Sequence, residues 1–242
     1  MAAVGATGIA LLLGWGLFGL PDFGGPLNRY ATTINAVALP ERHATNAVGA
    51  VVFDYRGFDT LAEEFILFTS VIGVTMLLRA QRDETEGQVV GLEDHYQLAG
   101  ASAALRLFGL FLVAPILVAA LSLVVHGHVT PGGGFQGGAF AATAPLLVFL
   151  VGETLLFRRV HPVTLLDVGE GLGAAGFVVI GLLGLVSAAA YLTNVWPLGT
   201  PGSVFSAGTM PVISVAIGLE VAAGLVFLVF EFVEQVLIVR RS

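Results

Sequence analysis

The chain has 242 residues, of which 56% are hydrophobic and only 11% charged; its formal net charge is −7 and its mean hydropathy is +0.92. Soluble domains carry about 25% charged residues, so this composition indicates a polytopic membrane protein, and the modest acidity offers nothing to nucleic acid. Cysteine is absent, which excludes disulfides, thiolate metal sites and cysteine nucleophiles, and all ten basic residues are arginine.

A membrane-crossing helix needs about 20 apolar residues. The first such run, Ala2 to Leu20, lacks a basic leader and a cleavage site and therefore reads as a retained span, closed by Pro21 to Pro26. Residues 21–60 read as a long polar connection. The second run is Leu61 to Leu78, followed by an acidic link holding Asp83, Glu84, Glu86, Glu93 and Asp94. The third run is Leu105 to Val125 and the fourth Ala139 to Phe157, with a glycine-rich link between them. The fifth is Gly171 to Tyr191, and the sixth, Met210 to Val233, carries Glu220 and Glu231. No run shows the alternation of a transmembrane barrel. The expected fold is all-α, a bundle of six transmembrane helices.

Arginine placement predicts an orientation. Arg79, Arg82 and Arg106, then Arg158 and Arg159, then Arg240 and Arg241 fall on one side of a six-span chain, which the positive-inside rule makes cytoplasmic. Both termini are then cytoplasmic. Arg29, Arg42 and Arg56, in the first link, resist this assignment and are partly balanced by Glu41, Asp54 and Asp59.

The stretch Asp54 to Glu64 precedes and enters the second span. Thr60 with Glu63 has the spacing of a capping box, and acids in a first turn favour the helix dipole. That is a structural account of Asp59, Glu63 and Glu64. The functional alternative is an ion path, because a carboxylate near hydrocarbon is costly unless paired or hydrated. Arg56 is then a partner or an anchor. Glu153, Asp167 and Glu170 have ordinary explanations at span boundaries. Glu220 has none: it lies about ten residues into an apolar run with no basic residue of the chain at matching depth.

In the glycine-rich link, His126 and His128 could be interfacial, relay protons or bind metal, although no cysteine or carboxylate nearby completes a ligand set. Pro131 stops the third helix, and Gly132, Gly133 and Gly134 allow backbone angles closed to other residues. Phe135 reads as a bulky anchor. A nucleotide loop is excluded by context, since no soluble strand precedes and no Gly-Lys-Ser/Thr follows. The expectation is a tight re-entry into the fourth span, close to a neighbouring helix. Small residues within the spans, such as Gly171 to Gly176, suit close helix contact inside the chain or against other subunits.

Gly127-His128-Val129-Thr130-Pro131-Gly132-Gly133-Gly134-Phe135-Gln136-Gly137-Gly138 resembles the signature of the MnhB/MrpB subunit of multisubunit sodium/proton antiporters. The likeness covers about residues 100–238. Asn46 to Glu63, with Asp54-Tyr55-Arg56-Gly57-Phe58-Asp59-Thr60, is similar to the C-terminal, MbhE-like region of the large MrpA subunit, with Ala62 where that family has glycine. The resemblance implies an MrpA-type segment over 1–82, an acidic cytoplasmic linker over 83–104 and an MrpB-type four-helix domain over 105–242.

It implies further a prokaryotic cell-membrane subunit of a Na⁺/H⁺ antiporter rather than a chemical catalyst. No cofactor is expected beyond the transported Na⁺ and H⁺. Its partners would be MrpA-, MrpC-, MrpD-, MrpE-, MrpF- and MrpG-like subunits and lipid. Glu63, Glu64 and Glu220 are the ion-path candidates; Asp54, Arg56 and Asp59 would shape its entrance or a subunit junction. His128, Pro131, Gly132, Gly133, Gly134 and Phe135 match the MrpB motif as structural residues. The alternatives are a purely structural subunit, or a subunit of a redox-driven pump related to membrane-bound hydrogenases.

Overall fold

The structure, a computed structural model, describes residues 2–20, 24–78, 102–151 and 163–239. The acidic link Asp83 to Asp94 lies outside the described residues, as do Arg79, Arg82, Glu153, Arg158, Arg159, His161, Arg240 and Arg241. Two compact units are present, Met1–Ala36 and Val37–Ser242. In the first, α1 (Ala2–Phe18) is 17 residues of almost wholly apolar sequence, exposed along nearly all of its described length.

The polar connection read over residues 21–60 is largely helical over its described part, residues 24–60. α2 (Arg29–Arg42) starts where the Asn28 side chain accepts from the Ala31 N–H at 2.8 Å. It ends at His43, which takes a positive φ of 52°. α3 (Ala47–Ala50) is capped by Asn46, whose Oδ1 accepts from the Val48 N–H at 3.1 Å. The chain then widens into a π-helical turn, Val51–Tyr55, closed by the Arg56 N–H donating to Val51 O at 2.8 Å.

Four helices have the length and apolarity to cross a membrane among the described residues. They lie in α4 (Gly57–Leu78), α5 (Ala103–Val125), α7 (Val163–Ala188) and α8 (Met210–Val239). α6 (Gly134–Leu150) is shorter, 17 residues, and begins five residues before the predicted Ala139 because the glycines themselves form its first turns. α4 likewise begins at Gly57 rather than Leu61, so Thr60 is not a cap. Its hydroxyl donates backwards to Val52 O at 2.7 Å and ties α4 to the π-turn.

α8 is the hub. It packs on α4, α5, α6 and α7, and it alone contacts all four. Glycine sets the separations. A Cβ on Gly138 would lie 2.7 Å from Gly218 O, and one on Gly173 would lie 2.6 Å from both Ala216 O and Glu220 Cβ. No side chain fits at either place, so α6 and α7 touch α8 backbone to backbone, as small-residue faces allow in lipid. The buried core around this contact includes Phe177, Met210, Ile213, Ile217 and Val221. Outward faces stay apolar: Ile66, Met76, Leu107, Phe111, Leu121 and Leu172 are all exposed. A surface of that kind requires lipid or protein against it.

Candidate functional site: a charged cleft and a buried file of acids

The first charged feature sits at the start of α4. Asp54, in the π-turn, receives Arg42 Nε at 2.7 Å on one oxygen and Asn194 Nδ2 at 3.1 Å on the other. Asn194 also donates to Ala207 O at 3.0 Å and accepts from the Thr209 N–H at 3.0 Å, so Asp54 pins the 189–209 loop to the α2–α3 segment. The Tyr55 hydroxyl donates to Glu41 at 3.0 Å, and its ring lies 5.1 Å under the Arg42 guanidinium. Burial, then the Glu41 hydrogen bond, pushes the Tyr55 hydroxyl up to about 12, so it remains a donor. Arg56 pairs with Asp59 one turn on. Between these groups lies a cleft of about 830 Å³, bordered by Arg42, Asp54, Arg56, Asp59, Tyr191 and Asn194. The three residues expected at an entrance or junction, Asp54, Arg56 and Asp59, are therefore gathered in one place.

The second feature lies inside the bundle. Consecutive in sequence, Glu63 and Glu64 part company: Glu63 faces outward and Glu64 is 2% exposed. Glu64 faces Glu220, 1% exposed, across the α4–α8 contact. Glu220 in turn faces Glu170 on α7, which is 7% exposed. Among the described residues the Glu64 and Glu220 carboxyls have only each other as hydrogen-bond partners, and Oε1 of Glu170 has none. By sequence Glu170 belongs to a helix boundary, yet the structure places it in the interior. The available signal is Gly173, three residues on and therefore on the same helix face as Glu170, where α8 approaches too closely for a side chain.

The third feature is the glycine-rich turn. Gly132 and Gly133 take φ of 155° and 143°, angles that side chains rarely adopt, and the Gly133 N–H donates back to Leu123 O at 3.0 Å. Asn46 closes over the turn, its Nδ2 donating to Gly127 O at 2.7 Å and Thr130 O at 3.1 Å and its backbone N–H to His128 O at 3.1 Å. Thr45 adds a donor to Val129 O at 2.6 Å. His128 is fully buried and its Nε2 donates to Ser203 O at 3.2 Å. Its Nδ1 has no partner among the described residues. Burial, aided by His126, holds the His128 imidazole below the ordinary histidine range against the pull of the Ser203 and Val204 carbonyls, so it is neutral at pH 7. Pro131 lies exposed at the rim, and Phe135 is 43% exposed. The anchor expected at Phe135 is thus not seated in this chain; it points away because Gly134 and Gly138 occupy the face of α6 turned to α8.

Residues 104–227 match the family described as a domain related to the MnhB subunit of the Na⁺/H⁺ antiporter. The chain belongs to this MnhB-related family. The match takes in α5 to α8 up to Phe227, hence the glycine-rich turn, Glu170 and Glu220. An uncharacterized protein of Methanocaldococcus jannaschii is 33% identical over 208 residues, which are 79% of this chain and 78% of that one. A protein of Rhizobium meliloti, described as the probable A/B subunit of a K⁺/H⁺ antiporter, is 34% identical over 152 residues, covering 54% of this chain but 15% of that longer protein. Among solved structures, a chain of the membrane-bound sulfane sulfur reductase, an archaeal respiratory membrane complex, superposes with a TM-score of 0.73 at 32% identity, over 96% of both chains.

Proposed function

We propose that this MnhB-family chain is a membrane subunit of a multisubunit monovalent cation/proton antiporter module, where it contributes to assembly and borders the ion path. The observation that carries the ion role is the buried Glu64–Glu220 pair: two carboxyls hydrogen-bonded to each other, with no other partner among the described residues, at a helix contact inside an MnhB-type bundle. Acids in that setting are kept at a cost to folding and mark proton or cation pathways. Asp54, Arg56 and Asp59 shape a hydrated entrance beside α4, with Glu63 on the outer face of that helix. The chain is part of a transporter and not a chemical catalyst.

In this reading α1 and α6 also cross the bilayer, giving six spans in a prokaryotic cell membrane with both termini cytoplasmic. Residues 1–82 serve as an MrpA-type segment, 83–104 as a cytoplasmic linker and 105–242 as the MnhB-type domain. The likeness to a relative whose name joins the letters A and B supports such a union of MrpA-type and MrpB-type parts. MrpA-, MrpC-, MrpD-, MrpE-, MrpF- and MrpG-like subunits are the partners, and the exposed apolar faces of α4 to α8 are where they and lipid dock. Purifying the complex, identifying its subunits and recording Na⁺- or K⁺-dependent proton movement in vesicles tests the proposal. A complex that assembles yet moves no protons on addition of either cation would sink it.

A second reading rests on the likeness over 96% of both chains to a chain of the sulfane sulfur reductase complex. The same module would then be driven by electron transfer. A chain without cysteine supplies no thiolate for a redox centre, so that centre would belong to another protein of the complex. Iron–sulfur proteins co-purifying with this chain would favour this reading, and their absence from an active antiporter would remove it.

A further inference from the structure

The buried acids are ordered along the bundle. α4 runs parallel to α8, since Glu64 lies beside Glu220 and Val71 beside Gly224. α7 runs antiparallel to α8: Gly173 lies against Ala216 and Glu220, and the Glu170 carboxyl against Gly224, 3.5 Å from where its Cβ would be. Gly224 is one turn beyond Glu220, so Glu170 sits about 6 Å further along the axis than Glu220, at about 1.5 Å per residue. Asp167, nearly a turn before Glu170 and itself exposed, faces it near the start of α7. At the other end Glu64 is faced by exposed Glu63, and Asp59, a turn earlier on α4, lines the charged cleft.

Among the described residues the groups acting on Glu64, Glu220 and Glu170 are carboxyls: Glu220 and Glu63 on the first, Glu170 and Glu64 on the second, Asp167 on the third. Yet these acids do not make a cage, for no three His, Asp or Glu side chains converge to hold a metal ion among the described residues. A file of carboxyls with exposed acids at both ends, Glu64 hydrogen-bonded to Glu220 in the middle and a buried Glu170 oxygen without a partner among the described residues, suits protons handed along rather than a cation held in place.

We propose that Glu63, Glu64, Glu220, Glu170 and Asp167 form a proton relay crossing the bundle obliquely from the start of α4 to the start of α7, with Glu170 its last buried member. Each transfer places a proton on one carboxylate oxygen as the neighbouring carboxyl releases one, directly or through a water, so every hop conserves charge within the file. The proton leaves at whichever exposed acid, Glu63 or Asp167, faces the lower proton activity. The assignment deepens the antiporter reading and relies on it only for what drives the flow.

The test uses the purified complex reconstituted in vesicles with an enclosed pH-sensitive dye and NaCl as the probe. E170Q is expected to slow Na⁺-driven proton movement about a hundredfold, the low end of what a positioned proton-transfer group contributes, while all subunits still co-purify. E170D is expected to restore most of the rate. In infrared difference spectra between acid and alkaline pH, E170Q and E220Q should each remove part of the protonated-carboxyl band, which needs no transport at all. If the wild-type complex exchanges no cation but shows those bands, the antiporter reading fails and the relay stands. Wild-type rates and bands in an intact E170Q complex would overturn the relay. So would a Glu170 band that answers to Na⁺ at constant pH, since Glu170 would then be a cation ligand.

Discussion

At the residue scale, the consequential fact is that adjacent side chains on α4 have opposite surroundings. Glu63 and Glu64 are indistinguishable by composition, and only the packing of α8 decides which is buried. Asp54 shows the converse, a residue legible as important whose task was not. It joins Arg42 to Asn194, partners 12 and 140 residues away along the chain. Removing it leaves Arg42 Nε and one of the two Asn194 amide hydrogens without that acceptor in a half-buried place, where a lost hydrogen bond costs about 1–3 kcal/mol. Asp54→Ala should therefore lower the unfolding temperature of the purified complex and speed amide exchange across residues 189–209; unaltered exchange there would refute the pinning role.

His128 gives a pH prediction. Its pKa is depressed by burial, so the unfolded chain binds the proton more tightly than the folded one. The stability it contributes is present above the unfolded histidine value, near 6.5, and falls as pH drops below it. Amide protection in residues 126–138 and 198–206, corrected for the slower intrinsic exchange at lower pH, should fall between pH 7 and pH 5 in the wild-type chain. The same change of pH should have a smaller effect in His128→Gln.

At the element scale, helix identity was readable and helix contact was not. Long apolar runs announce α4, α5, α7 and α8 because lipid demands length and internal hydrogen bonding. The early start of α6 is hidden in the sequence, since three glycines after a proline look like loop. Only the third of them, Gly134, is helical, and with Gly137 and Gly138 it lets α6 lie against α8 on one side and α5 on the other. The glycine-rich motif thus specifies a close crossing, and its histidine, buried under the Ser203 carbonyl, locks the turn below it.

Two glycines on α7 test the idea with minimal change of chemistry. Gly173 has no room for a Cβ, whereas Gly171, two residues away, faces open space. Gly173→Val should force α7 from α8 at a cost of about 1–3 kcal/mol or more and reduce the yield of assembled complex. Gly171→Ala should be neutral or slightly stabilising, by up to about 1 kcal/mol, because alanine is the better helix former. Equal yields for the two variants would contradict the packing described.

At the scale of the whole molecule, the exposed apolar faces and the oblique file of acids describe a part of something larger. The chain has no cysteine, so single introduced thiols report cleanly on the six-span orientation. Thr130→Cys and Thr200→Cys, both exposed, should react with an impermeant maleimide added outside intact cells. Gln88→Cys, in the acidic link, should react only after the membrane is opened. The reverse pattern would invert the orientation, and labelling of all three from outside would remove the six-span arrangement.

The sequence by itself determined that this is a helical membrane protein, which helices form most of it, and which family signature it bears. Those properties follow from local apolarity, from helix-breaking residues and from a contiguous motif, all of which act within one segment. The tertiary structure alone decided that Glu64 and not Glu63 is buried, that Glu220 meets two other acids, and that Glu170 is one of them. Those facts depend on the direction and spacing of α4, α7 and α8. Glycine contacts between residues tens of positions apart set that geometry, and no single segment carries its record.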